Sequence, residues 1–310
     1  MSATSSGGGV AATASNFAGD PRAQPLTVLH LALPKGRMNQ GVLALLSDAG
    51  IKVSVSDRGY RPQVSLAGIQ AKLLKPQNIL EMLALGTRDA GFAGADWMAE
   101  LGTDVVEVMD TQLDVVRVVA AAPRQLLEGG KLPARPLVVV SEYVRLAQQW
   151  IARRGMGDKF VRSYGATEVF PPEDADVIID VTATGATLEA NGLVIVEDVL
   201  SSSTRLFASR QAWGDAAKRQ RISDIALLLS SVLAARRRVM LEVNVAEADL
   251  EAVIAVLPCM KRPTVSRLAG PDGYAVKAAV PRDQLATLIP LLKARGGTDV
   301  VISPISQVVP

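Results

Sequence analysis

The 310-residue chain holds one cysteine, Cys259, and one histidine, His30. A single thiol excludes an intrachain disulfide and fits a reducing compartment, so a cytoplasmic location is expected. Cys259 itself reads as a packed or surface thiol rather than a reactive one. A single imidazole excludes a His-rich zinc site and every scheme that needs several histidines. His30 lies in the apolar run 28–33 and reads as a strand residue, not as a general base. No apolar run approaches the ~20 residues that a membrane-spanning helix needs. Neither sign of charge dominates: Lys and Arg total 33, Asp and Glu 31, for a net charge of +2. That balance gives no case for DNA or RNA, yet it leaves room for a local basic cluster around a phosphorylated substrate. The first 24 residues are rich in Ser, Ala, Gly and Thr but lack the basic start and apolar centre of a secretion signal. Residues 1–25 are expected to form a disordered extension.

What is present centres on residues 176–188, DVIIDVTATGATL. Asp176 precedes an apolar run, Asp180 closes it, and a small hydroxyl-rich turn, Thr184-Gly185-Ala186-Thr187, opens a helical segment at Leu188. A strand that ends in an acid and a Gly/Thr turn at a helix start is a phosphate cradle. The first N–H groups of a helix have no intrahelical partner, and the dipole there favours an anion. Gly185 lets the backbone approach closely, and the Thr hydroxyls add donors. Asp180 is placed to accept hydrogen bonds from sugar hydroxyls, so a phosphoribosyl group suits the stretch. An ordinary Thr/Gly helix cap is the plain alternative.

Taken in order, strand and helix patterns alternate. Residues 27–33 read as a strand, Lys35-Gly36-Arg37 as a basic turn, and 38–49 as an amphipathic helix. The two cations then stand at the carboxyl edge of a strand, where open α/β sheets bind ligands. Arg58, Tyr60 and Arg61 form a turn suited to a nucleobase or a phosphate, or simply exposed. Three glycines in 86–96 suggest close backbone approach to a ligand or to a neighbouring element. Residues 105–109 and 115–122 read as two strands, with Arg117 inside the second. Residues 193–199 and 204–209 read as two more, broken at Ser201–Ser203, before a long helix at 213–236. The pattern makes two α/β lobes around a cleft: 26–121 with 209–236, and 122–208. Residues 237–310 follow the order βαββαβ, the ferredoxin-like arrangement.

Several stretches together resemble the long form of ATP phosphoribosyltransferase, from residue 29 to the C-terminus. They are Leu33-Pro34-Lys35-Gly36-Arg37, residues 89–96 (DAGFAGAD), residues 176–193, Arg262-Pro263-Thr264-Val265 and Leu268-Ala269. The resemblance implies a type II periplasmic-binding-protein-like pair of catalytic lobes and an ACT-like regulatory domain. It implies transfer of a phosphoribosyl group from phosphoribosyl pyrophosphate to N1 of ATP, the first step of histidine biosynthesis. It further implies magnesium delivered with the substrate rather than held by the protein, inhibition by histidine, and a homo-hexamer built from dimers. By residue, it assigns catalysis to Asp180, Asp176, Lys35 and Arg37. Phosphoribosyl pyrophosphate falls to Thr184, Gly185, Ala186, Thr187 and Leu188, and ATP to Lys35, Gly36, Arg37, Arg58, Arg117 and Glu168. The effector falls to Asn244, Met260, Thr264, Ala278 and Asp299. Two rivals are a two-lobed solute-binding protein and a catalytically silent regulatory paralogue. An ultraviolet assay for the ATP adduct separates all three.

Overall fold

Leu29, Leu31 and Leu33 alternate along one strand and are buried against two helices, as period-two patterning demands. In the computed structural model, which describes residues 27–55, 59–269 and 273–309, they build β1 (Leu29–Pro34). Then come α1 (Met38–Asp48), the hairpin strands β2 (Val53–Ser54) and β3 (Gln63–Val64), β4 (Ile69–Leu74), α2 (Pro76–Ala84), β5 (Ala90–Gly94) and α3 (Ala95–Leu101). A 19-residue strand, β6 (Val105–Pro123), leads to β7 (Val138–Ser141), α4 (Val144–Arg154), β8 (Lys159–Arg162), β9 (Val177–Thr182) and α5 (Ala186–Ala190). A 17-residue strand, β10 (Leu193–Ser209), leads back to α6 (Arg210–Gly214) and α7 (Ala216–Arg236). The last unit is β11 (Arg238–Val245), α8 (Leu250–Ile254), β12 (Thr264–Arg267), β13 (Tyr274–Pro281), α9 (Leu285–Ala294) and β14 (Thr298–Pro304).

One eight-stranded sheet, ordered β4-β1-β5-β10-β6-β9-β7-β8, runs through both lobes. β1, β4 and β5 are parallel, as are β7, β8 and β9; β10 and β6 are the antiparallel pair between them. The register explains the cleft. Thr204 faces Gly94 at the end of β5, while Arg117 faces both Ser201 and Thr182 at the end of β9. The carboxyl ends of both parallel sets therefore converge on residues 201–204, where ligands of open α/β sheets bind.

Two expectations are corrected here. β6 and β10 each run unbroken instead of as two strands, and the long helix begins at Ala216 after the separate short α6. The polar residues that read as breaks bond across the strand pair. Buried Thr111 donates to the Thr204 carbonyl at 2.5 Å, Ser203 Oγ to Asp110 at 2.7 Å, and Thr204 Oγ1 to Asp114 at 2.9 Å. The irregularity is absorbed by left-handed backbone at Gln112 (φ 56°) and Asp114 (φ 49°) and by register shifts. Val118 and Ala120 pack with the core of the second lobe, and Leu206 and Ala208 with that of the first, so β6 and β10 pass from one core to the other near residues 111–114 and 201–204.

The glycine cluster serves packing. A Cβ on Gly91 would lie 2.6 Å from Ile79 Cγ2 and 2.9 Å from Ala32 Cβ, so α2 seats on the sheet only over a bare backbone. His30 sits in β1, with its Nδ1 3.3 Å from buried Asp89, which also accepts from Lys218 Nζ at 2.7 Å.

The C-terminal unit is a separate four-stranded antiparallel sheet ordered β12-β13-β11-β14, the ferredoxin-like order. Val239, Leu241, Val243 and Val245 alternate inward along β11 and pack on α8 and α9. No helix among the described residues is long and apolar enough to cross a membrane.

Candidate active site

Asp180 stands near the carboxyl end of β9, behind the buried run Val177, Ile178 and Ile179. Its Oδ1 accepts from Val181 N–H at 2.6 Å, and its Oδ2 accepts a short hydrogen bond from buried Thr167 Oγ1. Burial pushes the carboxyl above its ordinary range and Glu168 adds to this, against the two hydrogen bonds. Five residues on, Gly185 takes φ 86° and starts α5. Two of the turn's N–H groups are already used: Gly185 donates to Thr182 Oγ1 at 2.8 Å and Ala186 to Thr184 Oγ1 at 3.3 Å. Thr184 and Thr187 are exposed. The N–H groups of Thr187 and Leu188, in the first turn of α5, have no partner among the described residues. The Leu188 side chain is buried with Val119, Ala121 and Ile178, so it anchors the turn from beneath.

Glu142, just past β7, is the residue that sequence reasoning missed. Burial raises its carboxyl and neighbouring Asp180 raises it further, while Lys75 and Arg162 pull the other way. Lys75 precedes α2 in the first lobe and Arg162 ends β8 in the second. Glu142 thus feels a cation from each lobe. No spacing rule flags an acid one residue beyond a short buried strand. The available hint was an acid following an apolar run, the same hint that Asp180 carries.

Across the cleft, Gly36 (φ 76°) turns β1 into α1 and leaves Arg37 exposed and Lys35 half-buried. Lys35 Nζ lies 3.6 Å from the centre of the Tyr60 ring, a cation–π contact. Arg37 Nη1 donates to the Asp114 carbonyl at 3.3 Å, which brings the basic turn to the lobe crossing. Arg117 faces Thr182 at the root of the Thr184 turn and forms an ion pair with Asp198 at 2.8 Å. Glu168 is beside Asp180, close enough to raise its carboxyl. Arg58 lies outside the described residues.

Asp176 is not brought to the turn. It precedes β9, four residues from Asp180, about 13 Å away at ~3.3 Å per residue. There it accepts from Val138 N–H at 2.8 Å and Arg135 Nη2 at 3.2 Å, which ties β9 to β7.

In the C-terminal unit, Met260, Thr264 and Ala278 line one cavity of about 460 Å³ with Lys261, Arg262 and Lys277. Asn244 and Asp299 are elsewhere, joined to each other at 3.2 Å, with Asp299 in left-handed backbone (φ 47°).

The family model described as HisG, ATP phosphoribosyltransferase, matches residues 75–231, and that of the HisG C-terminal domain matches residues 235–307. The ATP phosphoribosyltransferase of Pelotomaculum thermopropionicum is 35% identical over 287 residues, 91% of this chain and 99% of that protein. That of Desulforudis audaxviator is 36% identical over 289 residues, again 91% and 99%. A solved ATP phosphoribosyl transferase (HisG:HisZ) complex from Thermotoga maritima shares the fold with a TM-score of 0.58. It is 23% identical and covers 66% of this chain and 97% of that one.

Proposed function

The chain belongs to the ATP phosphoribosyltransferase family, and from that premise we propose how its cleft performs the reaction. The enzyme transfers the phosphoribosyl group of phosphoribosyl pyrophosphate to N1 of ATP, releases pyrophosphate, and so opens histidine biosynthesis. The N1 lone pair forms the bond to the anomeric carbon as the bond from that carbon to pyrophosphate breaks and its electron pair leaves with the oxygen. Positive charge builds on the ribose between the two events. The ring nitrogen needs no base, so the chain's task is to position and to stabilise charge.

The observation that carries this reading is the half-buried Asp180 beside the exposed Thr184–Thr187 turn. Asp180 holds the ribose hydroxyls and offsets the developing cation, with Glu142 behind it. The Thr184 and Thr187 hydroxyls and the N–H groups of Thr187 and Leu188 hold the 5′-phosphate, over the bare backbone of Gly185 and Ala186. Lys35 and Arg37 neutralise phosphate oxygens from the first lobe, and Gly36 lets them approach. Arg117 and Glu168 flank the ATP side. Asp176 serves the catalytic strand by holding its start. Magnesium, when bound, supplies charge neutralisation on the pyrophosphate oxygens. No group of three or more His, Cys, Asp or Glu among the described residues is placed to hold a metal ion.

Thr184→Val is expected to raise KM for phosphoribosyl pyrophosphate about tenfold, the weight of one hydrogen bond to a charged group, and to leave KM for ATP unchanged. Steady-state kinetics following adduct absorbance check this. Equal KM values in parent and variant would remove the turn from the phosphate site.

Histidine as effector belongs to the same reading, as do a homo-hexamer and a cytoplasmic location. Met260, Thr264 and Ala278 would contact the effector in their shared cavity, and Asn244 and Asp299 would complete the site from another position. Free histidine at about a hundred times its Kd should stabilise the fold by about 2.7 kcal/mol and inhibit turnover, and Thr264→Ala should weaken both effects. Thermal melts and inhibition curves read this out; no response to saturating histidine rules the effector out.

A further inference from the structure

Where α7 ends and β11 begins, Arg236, Arg237 and Arg238 follow one another. The β11–β13 pairing sets Arg238 opposite Pro281, and Arg282 N–H donates to the Arg237 carbonyl at 2.9 Å. The four arginines line one cavity of about 480 Å³, whose remaining walls are Pro281 and Asp283. Arg236 pairs with Asp48 at 2.8 Å. Arg237 donates to the neutral side-chain carbonyl of Gln112. Arg238 Nε is buried and has no partner among the described residues. Arg237, Arg238 and Arg282 enter no ion pair among the described residues.

A cation in the last turn of a helix is favoured by the dipole, which accounts for Arg236. It does not account for a fourth guanidinium brought in from the turn after β13, or for a buried Nε left without an acceptor. Guanidinium groups present planar forks that match phosphate oxygens, and a cluster of them repels itself unless an anion sits between them. We propose that this cavity binds a polyphosphate anion, either inorganic pyrophosphate or the phosphate tail of a nucleotide. None of its lining residues is among those placed in the cleft, and Asp48, the partner of Arg236, closes α1 at the opposite end from Arg37, about 16 Å along the helix at ~1.5 Å per residue. The cavity is also coupled to the lobes. Arg237 and Arg238 line a second cavity with Asp110 and Gln112, at the crossing of β6. An anion that takes Arg237 competes with its bond to Gln112, whose left-handed backbone lies between the lobes.

Isothermal titration of the full chain with magnesium-free pyrophosphate tests this, in a Lys35→Ala, Arg37→Ala background that weakens the cleft. One saturable event per chain is expected, weakening as salt rises. Adding Arg238→Gln and Arg282→Gln should weaken it at least tenfold, and Arg238→Lys with Arg282→Lys should recover part of the loss. A parallel titration with ADP separates the sources: tighter binding of ADP assigns the nucleotide, and no ADP binding assigns inorganic pyrophosphate. Arg238→Gln with Arg282→Gln in the parent chain should keep the phosphoribosyl transfer rate at saturating substrate, which shows that the fold survives. Complete loss of binding with Lys35 and Arg37 alone, or an unchanged affinity after the arginine changes, overturns the proposal.

Discussion

Asp180→Asn is expected to lower kcat by about two to three orders of magnitude, the usual cost of removing one charge-stabilising group, without lowering stability. The two halves of that outcome share a cause. Burial raises the Asp180 carboxyl, so over the interval from its unfolded pKa to its folded pKa the folded chain binds more protons than the unfolded chain. Stability contributed by this group is therefore fully present below the unfolded pKa and falls as pH rises through the folded one. At neutral pH the ionised form costs stability, and asparagine removes that cost: its one carbonyl oxygen keeps the Val181 N–H bond, and its amide N–H donates to the Thr167 hydroxyl in place of the bond that Asp180 accepts. Turnover runs the other way with pH. Only the ionised carboxylate offsets a ribose cation, so the acid limb of kcat should fall at a higher pH than an ordinary aspartate would give. Thermal melts and kcat profiles of both proteins across the acid range check both parts. A variant with more than about a tenth of parental kcat takes Asp180 out of the reaction.

The parts of this site that are written locally were legible in the sequence. A strand ending in Asp180 and a Gly/Thr turn needs only near neighbours, and so does the Lys35-Gly36-Arg37 turn between β1 and α1. The alternation in β11 likewise marks the C-terminal sheet. What could not be read depends on pairing over long separations. Thr111 and Ser203 are polar because each bonds across the β6–β10 pair, and only the partner strand makes them strand residues. Glu142 becomes notable only when folding brings it to Asp180, Lys75 and Arg162. Asp176 and Asp180 flank the same apolar run, and strand direction sends Asp180 to the cleft and Asp176 to the far edge, where it holds Val138 and Arg135.

Asp96→Ala should cost about 3–5 kcal/mol, a large part of a typical domain's stability of about 5–15 kcal/mol. Asp96 is buried in the first turn of α3 and joins both lobes. Its Oδ1 accepts from Ser202 Oγ of β10 at 2.6 Å, and its Oδ2 from the Tyr143 hydroxyl at 2.7 Å. Burial pushes the Tyr143 hydroxyl far up and Asp96 pushes it further, so it stays protonated and donating. Its ring also meets Trp97, centroids 4.8 Å apart. One turn along α3, Glu100 accepts from Arg145 and Leu146 N–H at 2.9 and 3.0 Å and caps the start of α4. Two carboxylates on one helix face thus hold the second lobe's helix by its amino end, where negative charge is favoured. Alanine at 96 takes the acceptor from two buried hydroxyl donors, at about 1–3 kcal/mol each, although Ser202 Oγ still accepts the residue-96 N–H, and it leaves a small void. Tyr143→Phe removes one donor and should cost about 1–2 kcal/mol. Tyr143 follows Glu142 directly, so a loosened latch shifts Glu142 against Asp180, and kcat should fall in both variants while KM for ATP changes little. Urea midpoints of Asp96→Ala, Tyr143→Phe and the double variant complete the cycle. A double-variant loss about 1 kcal/mol or more below the sum of the single losses marks the direct pair, and strict additivity would show that Asp96 does not hold Tyr143.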